Sequence, residues 1–156
     1  MSSNQINLQK FKDSLKKMES KFVDDLGKDM HLAVGQHVYE RVILRTPVLT
    51  GHARHNWLPS VNDQEVDEIL GVFGGDTTGE PITGEERTKW AAVRQSIRSL
   101  PLGQTIWICN NVPYAQRLEH GWSKTKAPQG MVGITLREVL EGVFKNQPKM
   151  MGRDEE

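Results

Sequence analysis

The sequence predicts an α+β domain in which a long N-terminal helix and shorter helices pack on a small, mostly antiparallel sheet. Three observations predict it. Apolar residues recur every three or four positions from Asn7 to Arg45, short apolar runs of strand type surround Trp57 and Trp107, and a helical period returns between Met131 and Phe144. With 156 residues, 20 basic and 20 acidic, the chain is one domain by size, able to bury a core without disulfides or metal. Its net charge of zero encodes no bulk attraction to nucleic acid or anionic membrane.

The first element follows from Leu8, Phe11, Leu15, Met18, Phe22, Leu26, Met30, Val34, Val38 and Val42, which form an apolar stripe, with Lys, Asp and Glu filling the other face. Packing on the chain's own sheet is the simple expectation; spacing close to seven also admits a coiled-coil arm. Gly27 and Gly35 each weaken the helix by about 1 kcal/mol relative to Ala, so a bend or break is expected near either. Thr46 ends it, because the residue before Pro47 is pushed out of the helical region.

Residues 46 to 54 then read as a turn-rich loop, and 54 to 61 as a strand that Pro59 marks as an edge strand or one interrupted by a bulge. An acidic turn, Asn62 to Glu65, leads to a second strand candidate, Val66 to Phe73, so the two predict a hairpin. Gly74-Gly75-Asp76-Thr77-Thr78-Gly79 lacks the Gly-Lys-Ser/Thr ending of a phosphate loop and reads as a hairpin tip that orders against a partner. Thr83-Gly84-Glu85-Glu86 is a capping box, and Trp90, Val93, Ile97 and Leu100 share the face of the helix it opens. The run from Gln104 to Asn110 is apolar on both alternating faces and predicts a central strand covered on both sides, with Trp57 and Trp107 in the sheet core. Cys109, the single cysteine, reads as a small buried hydrophobe.

Next comes Asn110-Asn111-Val112-Pro113-Tyr114-Ala115-Gln116-Arg117-Leu118-Glu119-His120-Gly121-Trp122. Asn111 suits an N-cap, Pro113 a first helical turn and Gly121 a left-handed stop, which predicts a short helix with Tyr114 and Leu118 on one face. Glu119 is expected to anchor a loop or to pair with Arg54 or Arg117. After a basic, irregular stretch the last helix, Met131 to Phe144, is expected to bury Leu136, Val139, Leu140 and Val143. A polar tail from Asn146 to Glu156 is expected to fray.

Thr46-Pro47-Val48-Leu49-Thr50-Gly51-His52-Ala53-Arg54-His55-Asn56-Trp57, followed far downstream by Val-Pro-Tyr-Ala, Leu-Glu-His-Gly and Pro128-Gln129-Gly130, is an ordered pair of motifs. Together they resemble the tail-completion (neck, or head-tail joining) proteins of long-tailed bacteriophages. Members of that family carry a Thr-Pro-Val-x-Thr-Gly-x-x-Arg-x-x-Trp-like run, then Asn-x-Val-x-Tyr-Ala-x-x-x-Glu-x-Gly, then Pro-x-Gly before a last helix. The likeness covers residues 46 to 61 and 104 to 140; the helical stretch within 74 to 103 replaces a short hairpin connection. The resemblance implies a structural virion protein at the neck, made in the host cytoplasm. It would join the head connector or adaptor to the tail tube or tail terminator as a ring of six or more copies, with DNA touched non-specifically in the lumen. The candidate interface residues are Thr46, Pro47, Thr50, Gly51 and Arg54, Gly74 and Gly75 at the tip, and Tyr114, Glu119 and Gly121. Arg54 is expected either to anchor such an interface or to pair with Glu119 inside its own subunit.

Chemistry of other kinds is weakly encoded. His52 and His55 lack the further ligands a metal site needs, no Gly-x-Ser-x-Gly elbow is present, and Glu119 and His120 point to different sides of a helix. A small hydrolase using the histidines and a DNA-binding module are the alternatives, the latter requiring a basic stripe with aromatic platforms. No enzymatic activity, cofactor or metal is expected. No apolar run nears the length that spans a bilayer, and the N-terminus is polar without a signal-peptide core, so no membrane association is expected.

Overall fold

A computed structural model of the chain describes residues 3–64, 67–71 and 82–145, with the backbone alone for 3–8 and 143–145. The first helix, α1, runs unbroken over Ser3–Arg45, 43 residues, or about 65 Å at 1.5 Å per residue. Neither Gly27 nor Gly35 breaks it. Each is where another element comes close: a Cβ at Gly35 would stand 2.9 Å from the Trp90 ring, and one at Gly27 3.0 Å from Leu102. The propensity cost of about 1 kcal/mol is offset at Gly35 by letting Trp90 stack on Tyr39, with ring centroids 5.5 Å apart. Past the last turn, the Thr46 hydroxyl donates to the Val42 carbonyl at 2.6 Å and accepts the Trp57 indole N–H at 2.7 Å.

The expectation that the whole stripe of α1 packs on the chain's own sheet is overturned. Leu32, Tyr39, Val42 and Ile43 are buried in the core, but Phe11, Leu15, Met18, Phe22, Leu26, Met30 and Val34 are exposed. At about 100° per residue, Phe11 to Phe22 centre on a line roughly a quarter turn away from the core-facing residues 32 to 43. From Phe22 onward the apolar positions recur every fourth residue, and each step turns the stripe by about 40°. A stripe that winds this way cannot face one core throughout.

A four-residue helix, α2 (His52–His55), leads into strand β1, Trp57–Val61. Its partner is β2, Ile106–Asn110, antiparallel, with Trp57 opposite Asn110 and Val61 opposite Ile106. The predicted hairpin with residues 66 to 73 does not form: the described part, 67–71, contains no strand. The fully buried Asn56 amide holds that segment instead, donating to the Ile69 carbonyl at 2.9 Å and accepting from the Ile69 N–H at 2.7 Å. Nor is β2 a central strand, because among the described residues the sheet has two strands. Trp107 is 38% exposed and its indole N–H reaches the Asn62 carbonyl, which corrects its placement in the core. Cys109 is buried as expected.

Between the strands, α3 (Gly84–Ser99) opens on the capping box read from Thr83 and Glu86 and buries Trp90, Val93 and Ile97. It packs on α1 and β1 and supplies much of the core. A single turn and a half forms α4, Ala115–Glu119, which starts later than the sequence suggests, with Tyr114 rather than Asn111 at the N-cap position. The last helix, α5 (Val132–Lys145), meets α1 through polar groups. Arg45 donates to Thr135 Oγ1 at 2.7 Å and to Glu138 at 2.6 Å, and Arg41 pairs with Glu138 at 3.3 Å. This clamp turns Met131 and Thr135 inward and leaves Leu136 and Leu140 exposed, against the expected burial of the Leu136, Val139, Leu140 and Val143 face. The Val143 side chain, the Gly-rich tip at 74–79 and the tail from 146 lie outside the described residues. Among those described, no helix is long and apolar enough to cross a membrane.

The two strand tryptophans are therefore expected to separate in a denaturant titration. Trp57→Ala removes a buried ring and its hydrogen bond to Thr46, and is expected to cost about 3–5 kcal/mol. Trp107→Ala is expected to cost about 1 kcal/mol or less. Equal losses would contradict this placement.

Candidate functional site

The two distant motifs meet. Pairing of β1 with β2 sets residues 46–57 beside 110–122, and the Asn110 amide donates to the Ala53 carbonyl at 2.7 Å, tying α2 to the end of β2. Between the 47–53 turn and the segment from Tyr114 to Lys126 lies an open groove of about 520 Å³. Pro47, Thr50, Gly51 and Tyr114, all predicted interface residues, line it. Val48 and Ala53 are buried beneath, whereas Leu49 is 89% and Trp122 59% exposed. The Arg117 guanidinium lies 4.8 Å over the Trp122 ring and holds the indole in place.

Behind the groove, backbone meets backbone. Gly121 ends α4 with φ 76°, and a Cβ there would fall 2.4 Å from the Pro128 carbonyl oxygen. Gly130 has φ 79°, and its Cβ would fall 2.3 Å from the Glu119 carbonyl oxygen. Only glycine fits a left-handed residue under another chain segment at that distance. Glu119 closes the arrangement by accepting the first N–H groups of α5, from Met131, Val132 and Gly133, at 2.8, 2.7 and 2.8 Å. A carboxylate at a helix N-terminus satisfies orphan donors and meets the positive end of the helix dipole. Burial alone would raise the Glu119 pKa, but these backbone N–H groups outweigh it and hold the carboxyl below its usual range. Glu119 therefore anchors the loop, one of the roles read from the sequence.

Two predicted interface residues face inward instead. Thr46 is buried at the end of α1. Arg54 is buried too, and its guanidinium takes Glu86 in two contacts of 2.9 and 3.2 Å. Among the described residues its carboxylate partner is thus Glu86 and not Glu119. Desolvation pushes the Glu86 carboxyl upward, and the Arg54 hydrogen bond with the Thr83 N–H overcomes it, so the group sits below its ordinary value. Gly74 and Gly75 lie outside the described residues.

The histidines disperse. His52 sits between the Gly71 carbonyl and Glu68, His55 against Glu85, and His120 against the Gln116 carbonyl of its own helix. Among the described residues, no three His, Cys, Asp or Glu side chains gather as metal ligands. Sequence reasoning missed Leu49, Leu118, Trp122 and Lys126 as lining residues. A signal existed for the first and third: Leu49 stands outside any period between Pro47 and Gly51, and Trp122 directly follows the helix-stopping glycine.

Two consequences for stability follow. Arg54→Met leaves Glu86 charged and buried and is expected to cost about 3–5 kcal/mol, whereas Arg54→Met with Glu86→Gln is expected to cost less than the single change. Both Glu86 and Glu119 have folded pKa values below the ordinary 4.5. Their contribution is complete above that value and disappears as pH falls through the depressed folded values. Glu119→Gln is accordingly expected to lower stability by about 1–3 kcal/mol at neutral pH and to flatten the acid side of the stability–pH curve. An unchanged acid limb in the variant would contradict the assignment.

Compared with known proteins, the chain matches no family, no curated protein and no solved structure.

Proposed function

We propose that the protein is a structural component of a phage neck that joins the head connector to the tail tube as part of a ring of six or more copies. One observation carries the reading. The two motifs that resemble tail-completion proteins, far apart in the chain, border a single groove whose exposed large apolar side chains are Leu49 and Trp122. An exposed aromatic and an exposed aliphatic group beside a shallow apolar groove are the anchors expected of a protein–protein contact. The flanking backbone is fixed by Gly121, Gly130 and Glu119, so little ordering entropy is lost when a partner seats there. The occupant is a neighbouring copy, the connector, or the tail tube or its terminator. DNA in the ring lumen is touched without sequence preference, consistent with a net charge of zero.

Leu49→Asp with Trp122→Ala tests this. Both side chains are exposed, so the melting temperature is expected to stay within a few degrees, a change of about 1 kcal/mol or less. Particles carrying the double variant are expected to accumulate as full heads and separate tails. Normal joining would overturn the role of the groove, and gold-labelled antibody found away from the head–tail junction of wild-type particles would overturn the neck reading.

A further inference from the structure

The exposed part of α1 is a second surface, independent of the groove and of the neck reading. Every residue from Gln9 to Val23 is exposed, yet Phe11, Leu15, Met18 and Phe22 form one apolar line; Met18 and Phe22 are each 68% exposed. Their spacing of four, three and four is the alternation of two core positions in a heptad. An isolated helix of this length is marginal in water and gains most of its stability from packing its apolar face. The quarter-turn offset from the core-facing residues excludes the subunit's own core as that packing.

We infer that the α1 arm pairs antiparallel with the α1 arm of a second copy of this chain. Size is the first argument. Phe11, Leu15, Met18 and Phe22 together expose on the order of 500 Å², the size of the largest patch of a typical monomer, so two copies bring about 1,000 Å² to the seam, what a specific interface needs. Self-complementarity is the second. In the antiparallel register centred between Lys16 and Lys17, Phe11 meets the other copy's Phe22 and Leu15 meets its Met18, and the two-fold axis repeats both layers. Charge is the third. The positions flanking the seam place Lys12 opposite the other copy's Glu19 and Glu19 opposite its Lys12, two ion pairs from one register. In-register parallel pairing sets Ser14 against Glu19 and Lys21 against Leu26 and pairs no charges. The sequence thus carries a preference for the antiparallel arrangement as well as for association.

Sedimentation equilibrium of the purified full chain tests this, with thermal unfolding followed in parallel. Wild type is expected to be a dimer at tens of micromolar. Phe22→Asp is expected to weaken dimerisation at least about a hundredfold while leaving the unfolding temperature of the dissociated domain unchanged, since the ring is exposed in the subunit. Lys12→Glu puts like charges together twice and is expected to weaken the dimer by about tenfold or more; adding Glu19→Lys is expected to restore it. Leu49→Asp with Trp122→Ala is expected to leave the dimer intact, which keeps this surface distinct from the groove. A wild-type chain that stays monomeric, including one that binds lipid vesicles or another protein through the stripe instead, would overturn the proposal. So would a dimer indifferent to Phe22→Asp, and a dimer that Lys12→Glu does not weaken would overturn the antiparallel register.

Discussion

The fold hangs on the buried ion pair between Arg54 and Glu86. The Glu86 carboxylate binds the α2 guanidinium and also takes the Thr83 N–H that starts α3, while the Glu86 carbonyl accepts the Tyr39 hydroxyl of α1 at 3.3 Å. One residue therefore locks three helices. The two charged side chains are 3% and 1% exposed, and a pair so deeply desolvated adds little net stability over an apolar replacement. What it supplies is uniqueness. Sliding α2 or α3 by a turn over the core of Tyr39, Trp57, Trp90, Val93 and Ile97 would strand a buried charge.

That constraint also explains how much of the structure was legible in the sequence. Local signals read true: the period of α1, the stop at Thr46, the capping box of α3, the edge strand with Pro59 and the left-handed Gly121 are each set by neighbours within a few residues. Long-range choices did not read. The motif's own acid, Glu119, is the partner that sequence offers Arg54, and nothing local distinguishes Glu86 from it as a carboxylate. The next apolar run is the partner that sequence offers β1, but the buried Asn56 amide holds that segment. On α1 and α5 the apolar residues were found correctly but assigned to the core, because periodicity reports that a stripe exists and is silent on what covers it. In the groove, Pro47, Thr50, Gly51 and Tyr114 were read as surface residues and line it, whereas Thr46 and Arg54 from the same motif turned inward to support it.

The groove and the α1 arm differ in kind. The groove has fixed walls, small lateral extent and two large anchors, so it suits a rigid partner that brings a complementary knob. The α1 arm is long and one-dimensional, so it suits another helix, and its flanking charges Lys12 and Glu19 complement each other across a two-fold axis. A two-fold contact closes on itself, whereas a groove that receives a different surface can propagate around a ring. Under the two proposals, the α1 contact caps assembly and the groove contact extends it.

The pairing of β1 with β2 has a consequence for the order in which the protein is made. Val61 bonds to Ile106 across the whole of α3, so the first strand leaves the ribosome well before its partner exists. At about 5–20 residues per second the interval is on the order of seconds. During that time β1 is an open edge and Trp57 has no sheet to lie under, while α1, made earlier still, is already long enough to be helical. The nascent chain thus presents its apolar arm before its core can close.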